Sequence, residues 1–269
     1  MGQKVRKFMY LKEKLGFNLV KGAFENRTKT LTKGALRANM SPKKMKSGFT
    51  LAEVLITLGI IGVVAAMTIP TLITNYQKHV TVTKLQKAIS ILNQAYKLSY
   101  DDVGEPSATE AFAMGSEEYF KKYWAPYIKT AIICTTYQQC GYKSNTPWLQ
   151  PNGKQAPAVV IRQNDRTAFY TPDGFLYIIY TGEGTSTPWL SSAAKYVFVD
   201  INGGEGPNIY GRDLFILTRV DTDGGGIRPF GYERASGYLN NVCSKKGDGI
   251  YCAEKIRRAG WKIEKNYPW

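Results

Sequence analysis

The side chains best suited to chemistry in this chain include four cysteines and a single histidine. The cysteines form two close pairs in the sequence, Cys134/Cys140 and Cys243/Cys252, and the histidine is His79. Such pairs form disulfides or bind zinc. The spacings are not the Cys-x-x-Cys of zinc sites, and His79 is distant from both pairs in the sequence, which disfavours zinc. One histidine and paired cysteines also leave no Ser/His/Asp or Cys/His arrangement for nucleophilic catalysis, so we do not expect an enzyme.

A second candidate site is a glycine-rich loop between two aspartates. Asp200, Asn202 and Asp213 supply oxygen atoms of the kind that Ca²⁺ binds, a cation that takes about six to eight such ligands. The loop is not an EF-hand, because the twelfth position counted from Asp200 is Gly211 rather than Glu. The same side chains could instead cap the backbone of a structural turn. Calcium is therefore one of two interpretations, and no other cofactor is indicated.

The third candidate is Glu53, the one ionisable residue in an apolar run of 25 residues, Phe49–Ile73. A helix of about 20 residues crosses the hydrocarbon core of a bilayer, so this run is long enough to do so. A carboxylate in such a segment costs about 3 kcal/mol unless it is paired, which indicates a function for Glu53. Two alternatives stay open: the run could be the core helix of a soluble protein, or Glu53 could simply lie at the membrane surface.

Positive charge is concentrated before this apolar run. Residues 1–48 carry 13 Lys/Arg and two acidic residues, whereas the rest of the chain carries 23 Lys/Arg and 19 acidic residues. Most of the net charge of +15 thus lies in residues 1–48, and the rest of the chain is close to balanced, which argues against a nucleic-acid-binding surface. Lys43, Lys44 and Lys46 predict that the N-terminal side is cytoplasmic and that residues beyond Ile73 are external. An oxidising exterior favours two disulfides, with each cysteine joined to its nearest partner in the sequence.

The string Ser47–Leu55, Ser-Gly-Phe-Thr-Leu-Ala-Glu-Val-Leu, resembles the type IV prepilin and type II secretion pseudopilin superfamily. In that family a Gly precedes the cut, a hydrophobic residue follows it, and Glu is fifth in the mature chain, as Gly48, Phe49 and Glu53 are here. The resemblance implies cleavage by a prepilin peptidase and N-methylation of Phe49. The positive charge of the new α-amino group at Phe49 would offset the negative charge of Glu53 in the same or a neighbouring subunit. An ordinary secretory signal, cut after Ala66, is the alternative.

One long helix must position these groups. The helical pattern continues past the apolar run and predicts a helix over residues 50–100, about 75 Å long. Pro70 should bend it, Gly59 and Gly62 permit close helix approach, and the Gly and Pro of residues 101–106 should end it. Its second half is amphipathic, with one apolar stripe formed by Val82, Leu85, Ile89, Leu92 and Tyr96.

The rest of the chain indicates an external α+β domain. Residues 107–130 are predicted to be partly helical, and short β-branched and aromatic runs between turns predict strands at 158–161, 167–170, 175–180, 196–201 and 215–219. Thr171–Gly174 is a strong turn signal. The expected fold class is α+β and pilin-like: a long N-terminal helix, transmembrane in its first half, packed against a C-terminal antiparallel β-sheet.

The Asp200–Asp213 loop and the tail that ends in Gly260-Trp261 also resemble the C-terminal segments of pilin-like proteins. Three parts are therefore expected: a leader over 1–48, a pilin helix over 49–100 and an external domain over 101–269. The implied function is a structural subunit of a type IV pilus or a type II secretion pseudopilus, in the inner membrane and then in a filament with other pilin subunits. The alternative is a membrane-anchored external binding protein, including a minor pilin for DNA uptake. Nucleic-acid binding has only weak support, from the basic pairs Lys121/Lys122, Lys245/Lys246 and Arg257/Arg258.

Overall fold

A computed structural model describes residues 48–104, 108–156, 165–181, 196–220 and 225–269. The leader up to residue 47, including the three lysines before the apolar run, and the strand predicted at 158–161 lie outside these residues. Helix α1 spans Leu51–Val103, 53 residues, and ends just before Gly104, whose φ of 74° favours glycine. The prediction of one continuous helix is thus confirmed, with its end three residues later than expected. The helix is unbroken through Pro70, and the bend there stays a prediction.

The second half of α1 buries one face against the sheet. Its fully or nearly fully buried positions recur every three or four residues: Thr81, Val82, Leu85, Ala88, Leu92, Ala95 and Ser99. Two members of the predicted stripe, Ile89 and Tyr96, are only half-buried at its edge. Ala88 and Ala95 are fully buried at its centre instead.

Among the described residues, six strands form one antiparallel sheet in the order β1-β2-β3-β4-β5-β6, so each strand pairs with its neighbour in sequence. The strands are β1 Ile132–Cys134, β2 Arg166–Tyr170, β3 Leu176–Tyr180, β4 Tyr196–Asp200, β5 Leu214–Val220 and β6 Gly226–Pro229. The turn between β2 and β3 is the predicted one: Gly174 N–H donates to the Thr171 carbonyl at 3.0 Å, and Gly174 has a φ of 82°. The predicted α+β class is therefore confirmed.

Both faces of this sheet are covered. One face packs on α1 through residues such as Phe169, Tyr177 and Val199. The opposite face carries a second apolar layer, in which Trp148 is fully buried against Phe198 with ring centroids 5.4 Å apart. The central strands β3 and β4 are buried on both sides, and their residues are almost all apolar without alternation.

In the described part of the domain there are also four short α-helices and one 3-10 helix: α2 Ala108–Met114, α3 Ser116–Tyr123, α4 Ser236–Val242, α5 Cys252–Arg258 and the 3-10 helix Ala125–Tyr127. The first two lie in the region predicted to be partly helical. Tyr119, Phe120 and Tyr123 are buried, whereas Phe112 is 42% exposed. Phe120 stacks on Phe169 of the sheet with a centroid distance of 4.5 Å, which attaches α3 to the core.

Candidate processing and assembly site

The predicted cleavage position is an exposed, non-helical segment. Residues 48–50 precede α1 without regular secondary structure, and Phe49 is 89% exposed. A Cβ added to Gly48 would meet no atom within 4 Å. Among the described residues, no packed side chain covers Gly48 or Phe49. A protease that binds its substrate as an extended peptide therefore has access to this position.

Thr50 and Glu53 close the N-terminal end of α1. The backbone N–H and the hydroxyl of Thr50 each donate to Glu53 Oε2 at 2.8 Å, and Glu53 N–H donates to Thr50 Oγ1 at 3.2 Å. This reciprocal arrangement is a capping box, which satisfies backbone donors that the first helical turn leaves without partners. Sequence reasoning gave Glu53 only a role in assembly, although the spacing Thr-x-x-Glu was the signal for this second role.

The first half of α1 leaves its apolar surface uncovered. An 18-residue window of this helix has a mean hydropathy of 2.2 and none of it is buried, so by length and composition α1 could cross a membrane. Large side chains on every side of the helix are exposed, among them Leu55, Ile61 and Leu72. A cylinder of exposed apolar residues requires lipid or neighbouring helices to cover it. A Cβ added to Gly59 or Gly62 would enter open space, so the helix backbone is accessible there.

Comparison with known proteins agrees with this geometry. Residues 43–69 match the prokaryotic N-terminal methylation motif, which includes the capped helix start and most of the apolar run. Residues 71–269, most of the chain, match the family of unknown function DUF6613. The chain belongs to the DUF6613 family. Together with the long apolar helix, the methylation motif makes it a type IV pilin-like protein, of a class that is structural rather than catalytic. No curated protein and no solved structure matches the chain.

The four cysteines of this DUF6613 protein are paired within their own loops. Cys134 and Cys140 have an S–S distance of 1.98 Å, and Cys243 and Cys252 have one of 2.02 Å. Nearest-neighbour pairing was the sequence expectation. All four sulfurs are buried, and the described residues contain no free cysteine. The first pair ties the edge strand β1 to the loop after it, and the second ties the start of α5 to the end of α4.

The structure brings the three candidate calcium ligands into one buried hydrogen-bond network. Asp213 accepts the backbone N–H groups of Asn208 at 2.8 Å and Ile209 at 2.6 Å, and the side-chain amide of Asn202 at 3.3 Å. Asp200 is fully buried and its Oδ2 accepts the hydroxyl of Tyr142 at 2.8 Å, while its Oδ1 accepts Asn202 N–H at 3.3 Å. Sequence reasoning missed Tyr142, because it lies 58 positions from its partner.

Burial dominates the electrostatics of this loop. It raises the pKa of the Asp200 carboxyl well above its ordinary value, and the nearby charge of Asp213 raises that pKa further. Burial also raises the pKa of Asp213, although its backbone hydrogen bonds act in the opposite direction. Both shifts reflect carboxyl groups held away from water.

These contacts favour the structural turn over the calcium site. The oxygens of Asp200 and Asp213 already accept amide and hydroxyl donors. Gly204 has a packing role instead: a Cβ on it would come within 2.2 Å of the Gly141 carbonyl carbon. The loop therefore lies directly on the loop that the first cysteine pair closes. Of the two interpretations from the sequence, we therefore expect the structural turn.

Three of the six residues in the predicted basic pairs form ion pairs with acids on their own helices. Lys121 lies 2.9 Å from Glu117 and 3.0 Å from Glu118. The buried Glu254 accepts the guanidinium groups of Arg257 at 2.7 Å and Arg258 at 2.6 Å. Lysines 245 and 246 remain as an exposed pair. Half of these six basic residues are therefore engaged by carboxylates of their own helices.

Proposed function

We propose that this protein is a filament subunit of a type IV pilus or a type II secretion pseudopilus. The observation that carries the proposal is the methylation motif followed by an apolar helix whose surface the chain leaves uncovered. A helix that no part of its own subunit covers needs lipid before assembly and the helices of other subunits after it. The external domain then provides the exposed surface of the filament.

Maturation begins with the leader. Prepilin peptidase cuts between Gly48 and Phe49 on the cytoplasmic face of the inner membrane, and Phe49 is then N-methylated. The lysines before the segment hold the N-terminal side in the cytoplasm, so the domain over residues 101–269 is external to the inner membrane. Residues 49–100, extended to Val103 by the helix end, form the part that moves from the membrane into the filament.

N-terminal sequencing of the membrane-associated chain tests this proposal. We expect it to begin at methylated Phe49, and a Gly48→Ala variant to accumulate uncut, with Gly59→Ala as a control that leaves processing intact. A chain that starts at Met67 would instead indicate an ordinary secretory signal, and an uncut parent chain would contradict the prepilin assignment.

Purification of filaments separates a subunit from a tethered receptor. An assembled subunit is recovered in sheared filaments together with other pilin subunits, whereas a membrane-anchored external binding protein stays with the cells. Carboxylates engage three of the six basic residues that suggested nucleic-acid contact, which weakens the DNA-uptake alternative.

A further inference from the structure

Two arginine–tyrosine pairs lie along β6 and the start of α4. The Arg228 guanidinium lies over the Tyr232 ring, 5.5 Å from its centroid, and the Arg234 guanidinium lies over the Tyr238 ring at 6.0 Å. We call these four residues the Arg-Tyr patch. Among the described residues, neither arginine has a carboxylate within ion-pair distance. Arginine and tyrosine are the residue types that most often contribute the binding energy of protein interfaces, so the patch suits a protein partner.

Contacts with the rest of the domain hold the Arg-Tyr patch in shape. Arg258 of α5 donates from Nη2 to the Tyr232 carbonyl at 2.7 Å. Tyr238 is exposed, and its ring lies 5.7 Å from the ring of the buried Tyr251. Glu233, the one acidic residue from β6 to α4, accepts the Tyr232 hydroxyl at 2.5 Å. The patch is therefore a pre-formed surface, which lowers the entropy that a partner must overcome when it binds.

The C-terminal end of α1 carries the opposite charge. Asp101 and Asp102 are exposed, and in the described part of the chain neither forms an ion pair with a lysine or an arginine. Asp102 accepts the Tyr127 hydroxyl at 2.5 Å, which fixes its position. The side chains of Tyr100 and Val103 are exposed beside the two aspartates. This acidic end, residues 100–103, thus combines apolar and negatively charged groups, as the Arg-Tyr patch combines aromatic and positively charged groups.

The sequence around each surface has the same sign of charge. Residues 101–122 contain six acidic residues and two lysines, a net charge of −4. Residues 225–259 contain seven Lys/Arg and three acidic residues, a net charge of +4. The two surfaces are therefore electrostatically complementary, and complementary charge favours one partner and one orientation over others.

The two surfaces lie at different levels along α1. The Asn93 side-chain amide donates to the Ile227 carbonyl and accepts Ile227 N–H, each at 2.8 Å. Two residues before Ile227, a Cβ on Gly225 would lie 3.5 Å from the Tyr96 ring, so β6 runs opposite to α1. Asp101 is eight residues past Asn93 in the other direction, about 12 Å along the helix. A parallel copy displaced by about this distance brings its Arg-Tyr patch to the level of the first copy's acidic end.

We propose that the Arg-Tyr patch of one subunit binds the acidic end of α1 in a second copy of this chain. The contact joins two different surfaces, so it can continue from copy to copy and build a filament. The apolar run of 25 residues is about 37 Å long, so two copies displaced by about 12 Å still overlap along most of it. The inference rests on the proposed filament-subunit function and names the surfaces through which the external domains meet.

The test reverses charge on each surface of the full-length chain in cells that make the filaments. Arg228→Glu/Arg234→Glu reverses the patch, Asp101→Lys/Asp102→Lys reverses the acidic end, and a combined variant carries all four changes. Quantitative immunoblot compares the chain in sheared filaments with the chain in the membrane fraction. Each reversed residue turns an attraction into a repulsion and should lower recovery about threefold, so each double reversal should lower it about tenfold. The combined variant should recover to within about twofold of the parent, because opposite charges meet again.

The matched control is Lys143→Glu/Lys154→Glu, which makes the same change in net charge at exposed positions outside both surfaces. It should assemble like the parent. Normal recovery of both reversals, or an equal loss in the control, would overturn the proposed contact. A combined variant that stays as low as the single reversals would also overturn it, because the acidic partner would then not be a copy of this chain.

Trypsin resistance of the membrane-fraction chain checks that each variant folds. If loss of the Asp102 contact with Tyr127 prevents folding, Asp101→Lys and Arg234→Glu repeat the test with losses of about threefold each and the same recovery when combined. The parent chain checks the underlying proposal separately. A parent absent from sheared filaments contradicts the filament-subunit function, whereas a parent present in filaments together with harmless reversals contradicts only this contact.

Discussion

The Glu53 carboxylate is assigned two roles, and no single substitution would separate their effects. It closes the capping box with Thr50 within one subunit, and we propose that it pairs with the α-amino group of Phe49 in a neighbouring subunit. Three variants separate these roles. Glu53→Gln keeps a side-chain oxygen for the cap and removes the charge, Thr50→Ala removes the cap and keeps the charge, and Glu53→Ala removes both.

The expected magnitudes differ enough to decide between the roles. Loss of a helix cap costs about 1 kcal/mol of helix stability, and α1 extends for 53 residues beyond it, so Thr50→Ala should assemble nearly normally. Loss of one partner of a buried charge pair costs about 3–5 kcal/mol, because the remaining charge stays in an apolar environment. That corresponds to a loss of about two to four powers of ten in the association constant per subunit contact. Glu53→Gln should therefore fail almost as completely as Glu53→Ala.

The assay compares the amount of each variant in sheared filaments with the amount in the membrane fraction by quantitative immunoblot. All three variants should resist carbonate extraction, since none of them adds a charge to the apolar segment. Normal incorporation of Glu53→Gln together with failure of Thr50→Ala would show that the cap matters and the charge pair does not. Normal incorporation of all three would refute both roles.

Three further predictions concern the external domain. Mass mapping of unreduced peptides should recover both cysteine pairs intact, and their short loops should each contribute on the order of 2–3 kcal/mol to the free energy of unfolding; free thiols or cross-paired peptides would contradict this. A thermal melt in chelator and in millimolar calcium should give the same Tm, because local donors occupy the Asp200 and Asp213 oxygens, whereas a calcium-dependent rise abolished by Asp213→Ala would establish a metal site. The pKa of Asp200 is raised on folding, so the stabilisation from its protonation is present below the ordinary value of 3.8 and is lost as pH rises through the folded-state pKa. Chemical unfolding from pH 4 to pH 7 should therefore show Asp200→Asn gaining stability relative to the parent as pH rises; a constant difference would mean that the carboxyl does not titrate differently in the two states.

Much of the N-terminal half was determined by the sequence alone, because its signals are local. The apolar run, the amphipathic continuation and the Gly104 stop follow from the 3.6-residue period and from backbone preferences, and α1 ends within three residues of its predicted end. The turn at Thr171–Gly174 is likewise local. The capping box was also local, in the spacing Thr50-x-x-Glu53, yet it was overlooked because Glu53 already had a role in the assembly interpretation.

The tertiary structure decided which surfaces meet. Strands buried on both faces carry no alternation of apolar and polar residues, so the second apolar layer around Trp148 could not be read from the strand patterns. The hydrogen bond from Tyr142 to Asp200 and the contact from Lys84 to the Ile201 carbonyl join residues 58 and 117 positions apart. Such pairings depend on how the chain folds back on itself, and no local period or spacing encodes that path. Whether the Asp200 loop turns its oxygens toward a metal ion or toward its own amides is therefore a property of the folded domain.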